Sequence, residues 1–192
     1  MSFTKNNYYK EKFSNISLEG GLVSGIEFED CEFHDCRFVG CAFEKCRFVG
    51  CKFTSSVISA GIFTNSSFND IHFIDSKIIG INWTKAERVQ DINFENCQIN
   101  YSNFRMQKLH KINIVSCEAK EVDFTATDLT ESNMANSDFE RSIFSKTNLT
   151  KANLKGAKNY YIDVRENSVK GAHFSLPEGI NLLKVFNIFI DY

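Results

Sequence analysis

Residues 31–53 read CEFHDCRFVGCAFEKCRFVGCKF, and in this stretch every fifth residue is Phe while a Cys recurs two places before it. Working outward in steps of five gives Phe13, Leu18, Val23, Phe28, Phe33, Phe38, Phe43, Phe48, Phe53, Ile58, Phe63, Phe68, Phe73, Ile78 and Trp83. A second run, shifted by one residue, goes from Phe94 to Leu154. Every position on both runs is apolar, although apolar residues make up 43% of the chain, so the spacing is a built repeat and not chance.

A period of five matches neither the strand period of two nor the helical 3.6. It fits a short extended piece followed by a turn. Within the extended piece, residues i and i−2 point to the same side, so the i−2 slot should be inward and small. It holds Cys31, Cys36, Cys41, Cys46, Cys51, Cys97 and Cys117, and elsewhere Ser56, Ser66, Ser76, Ser102, Ser132, Ser137, Ser142, Gly61 and Ala152. The i−1, i+1 and i+2 positions carry most of the charged residues and face water. If each piece turns the chain by about a right angle, four close a square coil and the fifth lies on the first. Coils about 4.8 Å apart then give about seven turns and a rod roughly 34 Å long. The expected architecture is all-β: a quadrilateral β-helix filled by stacked rings, with Phe28, Phe33, Phe38, Phe43, Phe48, Phe53, Phe63, Phe68 and Phe73 in the column.

One structural slot accounts for all seven Cys, which read as small buried thiols acting as hydrophobes. Zinc sites pair their ligands at different spacings, so no metal and no disulfide is expected. A net charge of −2 and a pI near 6.1 argue against direct nucleic-acid binding by bulk positive charge. Residues 1–9 have no apolar core of signal-peptide length, and no membrane-length apolar run occurs; the chain reads as cytoplasmic. No nucleophile elbow, phosphate loop or dinucleotide fingerprint is present. His34, His72, His110 and His173 read as lone surface residues. Neither enzyme activity nor a cofactor is expected.

Three segments follow. Residues 1–12 form an N-terminal cap or an irregular first coil. Residues 13–174 form the repeat, with one inserted residue within 84–91, which makes either a tolerated bulge or a small projecting contact. Residues 175–192 form a short helix, with Ile180, Leu183 and Phe186 on one stripe and Leu182 beside it, and then an apolar terminal strand. This tail either caps the rod alone or also joins two copies. Surface acids concentrate on two adjacent faces of the N-terminal half: Glu27, Glu29, Asp30, Glu32, Asp35, Asp70, Asp75, Asp91 and Glu95, opposed by Arg47, Lys52 and Arg88. They make either a solubilising face or a negative surface complementary to a basic groove.

The runs CEFHDCRFVGCAFEKCRFVGCKF and ATDLTESNMANSDFERSIFSKTNLTKANL (residues 126–154) resemble pentapeptide-repeat proteins over about residues 13–174. The resemblance implies a right-handed quadrilateral β-helix. Departures fall at Glu11, Glu87 and Gln107 in the small slot and at Ala119 in the centre. Within the family, the plan of 192 residues with one interruption near the middle, a terminal helix and an apolar strand looks most like topoisomerase-protection proteins. These are the Qnr quinolone-resistance type and the immunity type against a gyrase-poisoning microcin. CAFEKCRFVGC, NYYIDVRENSVKG (residues 159–171) and the Pro-containing tail make the similarity to the latter the closer. That likeness implies a dimeric, DNA-shaped acidic rod that binds gyrase or topoisomerase IV. By position it would place a contact loop at Thr84, Lys85, Glu87 and Arg88, and a homodimer seam at Leu182, Leu183, Phe186, Ile188 and Ile190. A scaffold with another partner is the alternative.

Overall fold

The computed structural model describes residues 3–188. The chain winds into a right-handed, four-walled parallel β-helix of about 8 turns. Coils pair in parallel at a register of twenty residues: Phe28 opposite Phe48, and Phe33 opposite Phe53. Across the insertion the register becomes twenty-one, with Phe68 opposite Val89, and it returns to twenty at Phe94 opposite Ile114. There are more turns than the spacing alone suggested, because the coil is regular from Asn7–Tyr9, which pairs with Glu27–Glu29, and continues to His173–Phe174. Residues 7–12 are thus neither a cap nor irregular. The cap is Phe3, whose ring lies 5.0 Å from Phe28 and 5.6 Å from Phe13.

Each wall carries one column of central side chains. The first wall runs Tyr8, Phe28, Phe48, Phe68, Val89, Leu109; the second Phe13, Phe33, Phe53, Phe73, Phe94, Ile114. The third runs Leu18, Phe38, Ile58, Ile78, Ile99, and the fourth Val23, Phe43, Phe63, Trp83, Phe104. Rings of one column stack face to face, as in Phe33–Phe53 at 4.5 Å and 4° or Phe48–Phe68 at 5.0 Å. Rings of adjacent walls meet edge to face, as in Phe38–Phe43 at 5.7 Å and 85°. Both geometries suit the aromatic quadrupole. The ring column encloses about 10 Å³ of free space, room for a single water at most. All nine expected core rings are buried.

The right angles come from the i+2 residue, which adopts positive φ at nearly every corner: Asp30 at 52°, Asp75 at 50°, Tyr101 at 60°, with Gly20, Gly40 and Gly80 at 63–67°. Gly is free there, and Asn and Asp tolerate this region better than other residues. The i−2 slot does more than bury small side chains. Ser56, Ser66, Thr127 and Ser137 donate hydroxyl hydrogens to the carbonyls of Phe33, Phe43, Phe104 and Ile114 in the coil below, at 2.8–3.3 Å. The thiols of Cys31, Cys46 and Cys51 make the same contact with Tyr8, Val23 and Phe28 at 3.3–3.4 Å. The Cys are therefore weak donors as well as hydrophobes, which is why Cys, Ser and Thr share one slot.

The two halves turn differently. Up to residue 59 each wall is a three-residue strand. Beyond Asn103 the i−1 residue is often Asp or Asn, and its side chain accepts from the i+1 N–H: Thr125 N–H to Asp123 at 2.8 Å, Thr130 N–H to Asp128 at 3.0 Å, Glu140 N–H to Asp138 at 3.1 Å. The wall then closes as a type II turn, with Thr127 N–H donating to Phe124 O at 3.1 Å and Ala126 at φ 56°. The regular slots falter at residues 159–166, where the Arg165 guanidinium clamps the Asp163 carboxylate and holds it below the ordinary carboxylate range. Asn167 then restores the ladder by donating to Phe144 O at 3.1 Å.

The tail is a 3₁₀ helix, Glu178–Phe186. At three residues per turn, Leu182 and Val185 share a face and pack inward. Ile180, Leu183 and Phe186 form the next face, with Ile180 half-buried and Leu183 40% and Phe186 52% exposed. Leu182 thus belongs to the cap and not to an outer seam. Val185 and Phe186, expected in a terminal strand, are helical, and Asn187 at φ 53° and Ile188 follow without strand pairing; Phe189 and Ile190 lie outside the described residues. Among the described residues no helix is long and apolar enough to cross a membrane.

Candidate partner-binding surface

The acids that the sequence singled out occupy two kinds of slot. Asp30, Asp70 and Asp91 stand at three of four consecutive corners between the first and second walls, and Asp35 and Asp75 at two corners between the second and third, with one coil between them. In three of four consecutive coils the second wall is therefore edged by acids on both sides: Asp30 with Asp35, Asp70 with Asp75, and Asp91 with Glu95 beside the next corner. The intervening coil has Gly50 and Ser55 at its corners and Lys52 on the wall. These rows span about 14 Å along the axis at about 4.8 Å per coil.

Not all of this charge is free. Glu27 is paired with Arg47, Glu32 with Lys12 at 3.0 Å, Asp35 with His34 at 2.8 Å and Asp70 with His72 at 3.2 Å. Among the described residues, Glu29, Asp30, Asp75, Asp91 and Glu95 have no cationic side chain within ion-pair distance. The C-terminal half is self-neutralised by pairs that cross from coil to coil: Glu131 with Lys151 at 3.2 Å and Lys111 at 3.7 Å, Lys120 with Glu140 at 3.3 Å, Arg105 with Asp123 at 3.1 Å. The Lys151 hydrogen bond and charge hold the Glu131 carboxyl below its usual range. Glu29, Asp30, Asp75, Asp91 and Glu95 lie on or beside the N-terminal half of the second wall, while Glu44, Glu87, Glu118, Asp128, Glu166 and Glu178, also without an ion pair among the described residues, are spread over the rest of the rod.

Thr84, Lys85, Glu87 and Arg88 are exposed but do not project. The extra residue is absorbed in one 3₁₀ turn, Trp83–Lys85, capped by the Asn82 side chain on Thr84 N–H at 3.2 Å. Trp83 anchors the turn, stacked between Phe63 at 5.6 Å and Phe104 at 5.7 Å. The turn sits where the fourth wall meets the first, so it lies away from the second wall. Burial pushes the Cys51 thiol up to about 12, and Cys31, Cys36, Cys41 and Cys46 are raised for the same reason, which removes them from thiolate chemistry at neutral pH. Among the described residues no group of three or more His, Cys, Asp or Glu side chains is placed to hold a metal ion.

Comparison with known proteins fits this geometry. No curated protein matches the chain. Solved structures do: a trypsin-treated variant of QnrB1, a plasmid-mediated fluoroquinolone resistance protein, is 16% identical, with a TM-score of 0.61 over 97% of this chain and 99% of that one. Full-length QnrB1 is 16% identical, with a TM-score of 0.52 over 95% and 100%. HetL, a pentapeptide repeat protein involved in heterocyst differentiation regulation from the cyanobacterium Nostoc, is 12% identical, with a TM-score of 0.56 over 88% and 87%. These likenesses concern the fold. The pentapeptide repeat region model matches residues 26–104 and 43–124, and the eight-copy pentapeptide repeat model matches residues 120–158, so the chain belongs to the pentapeptide repeat family.

Proposed function

We propose that this protein is a non-enzymatic binding rod whose second wall presents a duplex-like acidic face to the DNA-binding surface of a type II topoisomerase, gyrase or topoisomerase IV, and relieves poisoning of that enzyme. The observation that carries this reading is the set of acids bordering the second wall in three of four consecutive coils, of which Glu29, Asp30, Asp75, Asp91 and Glu95 have no cationic side chain within ion-pair distance among the described residues. A basic groove shaped for two phosphate rows would meet the same sign of charge along both edges of the second wall. The exposed Leu183 and Phe186 face, continued by Ile188, supports pairing of two copies through the tail, which would give a longer rod. A gyrase partner would place the protein in the cytoplasm.

The test adds purified protein to gyrase supercoiling assays with and without a fluoroquinolone. The expected result is recovery of supercoiling in the presence of the drug. A variant with Glu29, Asp30, Asp75, Asp91 and Glu95 changed to Gln or Asn should keep the fold and lose the effect. Absence of protection and of inhibition, at protein well above the enzyme concentration, would end the proposal. A scaffold role with a different partner is supported by HetL, whose similar fold serves a regulatory process. Recovery of a non-topoisomerase partner in a pulldown that survives the acid changes would favour it.

A further inference from the structure

The corner between the third and fourth walls differs from the other three. Over successive coils its positive-φ residues are Gly20, Gly40, Ala60 and Gly80, then Tyr101, while the corners edging the second wall use mostly Asp and Asn. Ala60 holds φ at 49° where Asn or Asp would be strained less. Residues other than Gly, Asn and Asp hold positive φ at other corners too, as at Lys45 and Ser55, so what sets this corner apart in the N-terminal half is that it is low and uncharged. Beside it, Leu22, Ala42 and Ile62 stand in one column, in parallel register. Leu22 is 62% exposed, Ile62 54% and Tyr101 60%, and Ala42 makes a notch between the first two. At the foot of the column a cavity of about 510 Å³ opens beside Leu18, Val23 and Ile26. The third wall joins this strip to the acid row at Asp35 and Asp75 through half-buried Val39, Val57 and Ile79. Lys77 is exposed there, and Arg37 is tied to Glu19 at 3.5 Å.

We infer that the strip is the second half of one docking surface, occupied by an aliphatic segment of the same partner whose basic groove takes the acid rows. Two features on the molecule fix that occupant. The strip is continuous with the acidic edge across the third wall, so a single partner can touch both. Its size is the other: about 19 Å of length and one corner of width cover roughly 250 Å², against about 800 Å² per side in a stable dimer. A second copy would gain too little from it, whereas a concave partner that closes around the second and third walls would bury acid rows and strip together. The rod would be gripped on two sides, with charge setting orientation and the aliphatic contact slowing release.

This inference rests on the topoisomerase reading, and the experiment separates the two. Ile62→Asp, Ala42→Gln and the control Ile143→Asp are compared in the full chain by affinity for gyrase. Ile143 lies in the same column but in the C-terminal half and is also exposed. Ile62→Asp and Ala42→Gln should each weaken binding at least tenfold, chiefly through faster dissociation, with Ile143→Asp unchanged; unaltered circular dichroism shows that the fold is kept. Wild-type affinity in both strip variants, with the acid variant impaired, would overturn the strip and leave the acid face standing. Equal losses in all three would also overturn it. No binding by the wild-type protein would remove both readings.

Discussion

Phe43→Ala measures how far the ring column holds the rod together. Phe43 is buried, stacks on Phe63 at 5.4 Å and meets Phe38 and Phe48 edge to face at 5.7 and 5.9 Å. Deleting the ring forfeits about 2 kcal/mol of transfer free energy. A residual hole of roughly 80 Å³, at about 24 cal/mol per Å³, adds about 2 kcal/mol. The hole cannot close easily, because each coil is held to its neighbours by backbone hydrogen bonds at a fixed spacing, such as Phe43 N–H to Ile62 O at 2.7 Å. The expected cost is about 4 kcal/mol, inside the usual range of about 3–5 for Phe→Ala. Trp83 is the only Trp and stacks on Phe63, one ring away, so its fluorescence during denaturant unfolding reports on the affected coils. Phe13→Ala, at the half-buried end of its column, should cost about half as much. A loss below about 1 kcal/mol for Phe43→Ala, or equal losses for the two, would refute a dry stacked interior.

The seven thiols should resist iodoacetamide in the native protein at neutral pH and all react after denaturation; rapid native labelling of Cys51 would contradict its burial. Asn65 holds φ 53° at a corner, so Asn65→Val should lower stability by about 1–2 kcal/mol while Asn65→Gly changes little, read by thermal melting. Although burial pushes the Asp123 carboxyl up, hydrogen bonds from Thr125 and the Arg105 guanidinium outweigh it and hold the group below its ordinary value. A depressed folded-state value contributes stability that is full above the unfolded value, near about 4, and is lost as pH falls through the lower one. The gap between wild type and Asp123→Asn should therefore be constant at neutral pH and shrink below about pH 4; a gap that grows in acid would be the wrong sign.

The period of five made the walls, the core column and the inward small slot legible, since each follows from which side chains share a face. The corners were harder. Asn15, Gly20, Asp30, Gly40 and Asp75 recur at i+2, and that excess of Gly, Asn and Asp is a positive-φ signal that polarity alone conceals. The ion pairs could be read only once a coil was known to hold twenty residues, because Glu27 with Arg47 and Lys12 with Glu32 are distant in sequence and adjacent in space. The tail misled for a different reason. Its apolar residues fit a helical stripe, but a pitch of three instead of 3.6 decides whether Leu182 or Leu183 faces the core, and nothing local in the sequence selects the pitch.

How a chain of net charge −2 can carry an acidic face is a question of slots and not of totals. At i−1 in the C-terminal half, the carboxylates of Asp123, Asp128 and Asp138 accept backbone N–H groups and close the turns, so they are committed to the fold. Glu131 and Glu140 are committed to lysines in neighbouring coils. At i+2 in the N-terminal half, Asp30, Asp75 and Asp91 use their backbone to make the corner and leave the carboxylate over solvent. The same residue type thus stabilises one half of the rod and remains available for a partner in the other. Neutralising Asp75 should accordingly cost binding with little stability, while neutralising Asp138 should cost stability with little binding. A reversal of that pattern, measured by melting and gyrase affinity on the same two variants, would show that the unpaired acids are not what the partner meets.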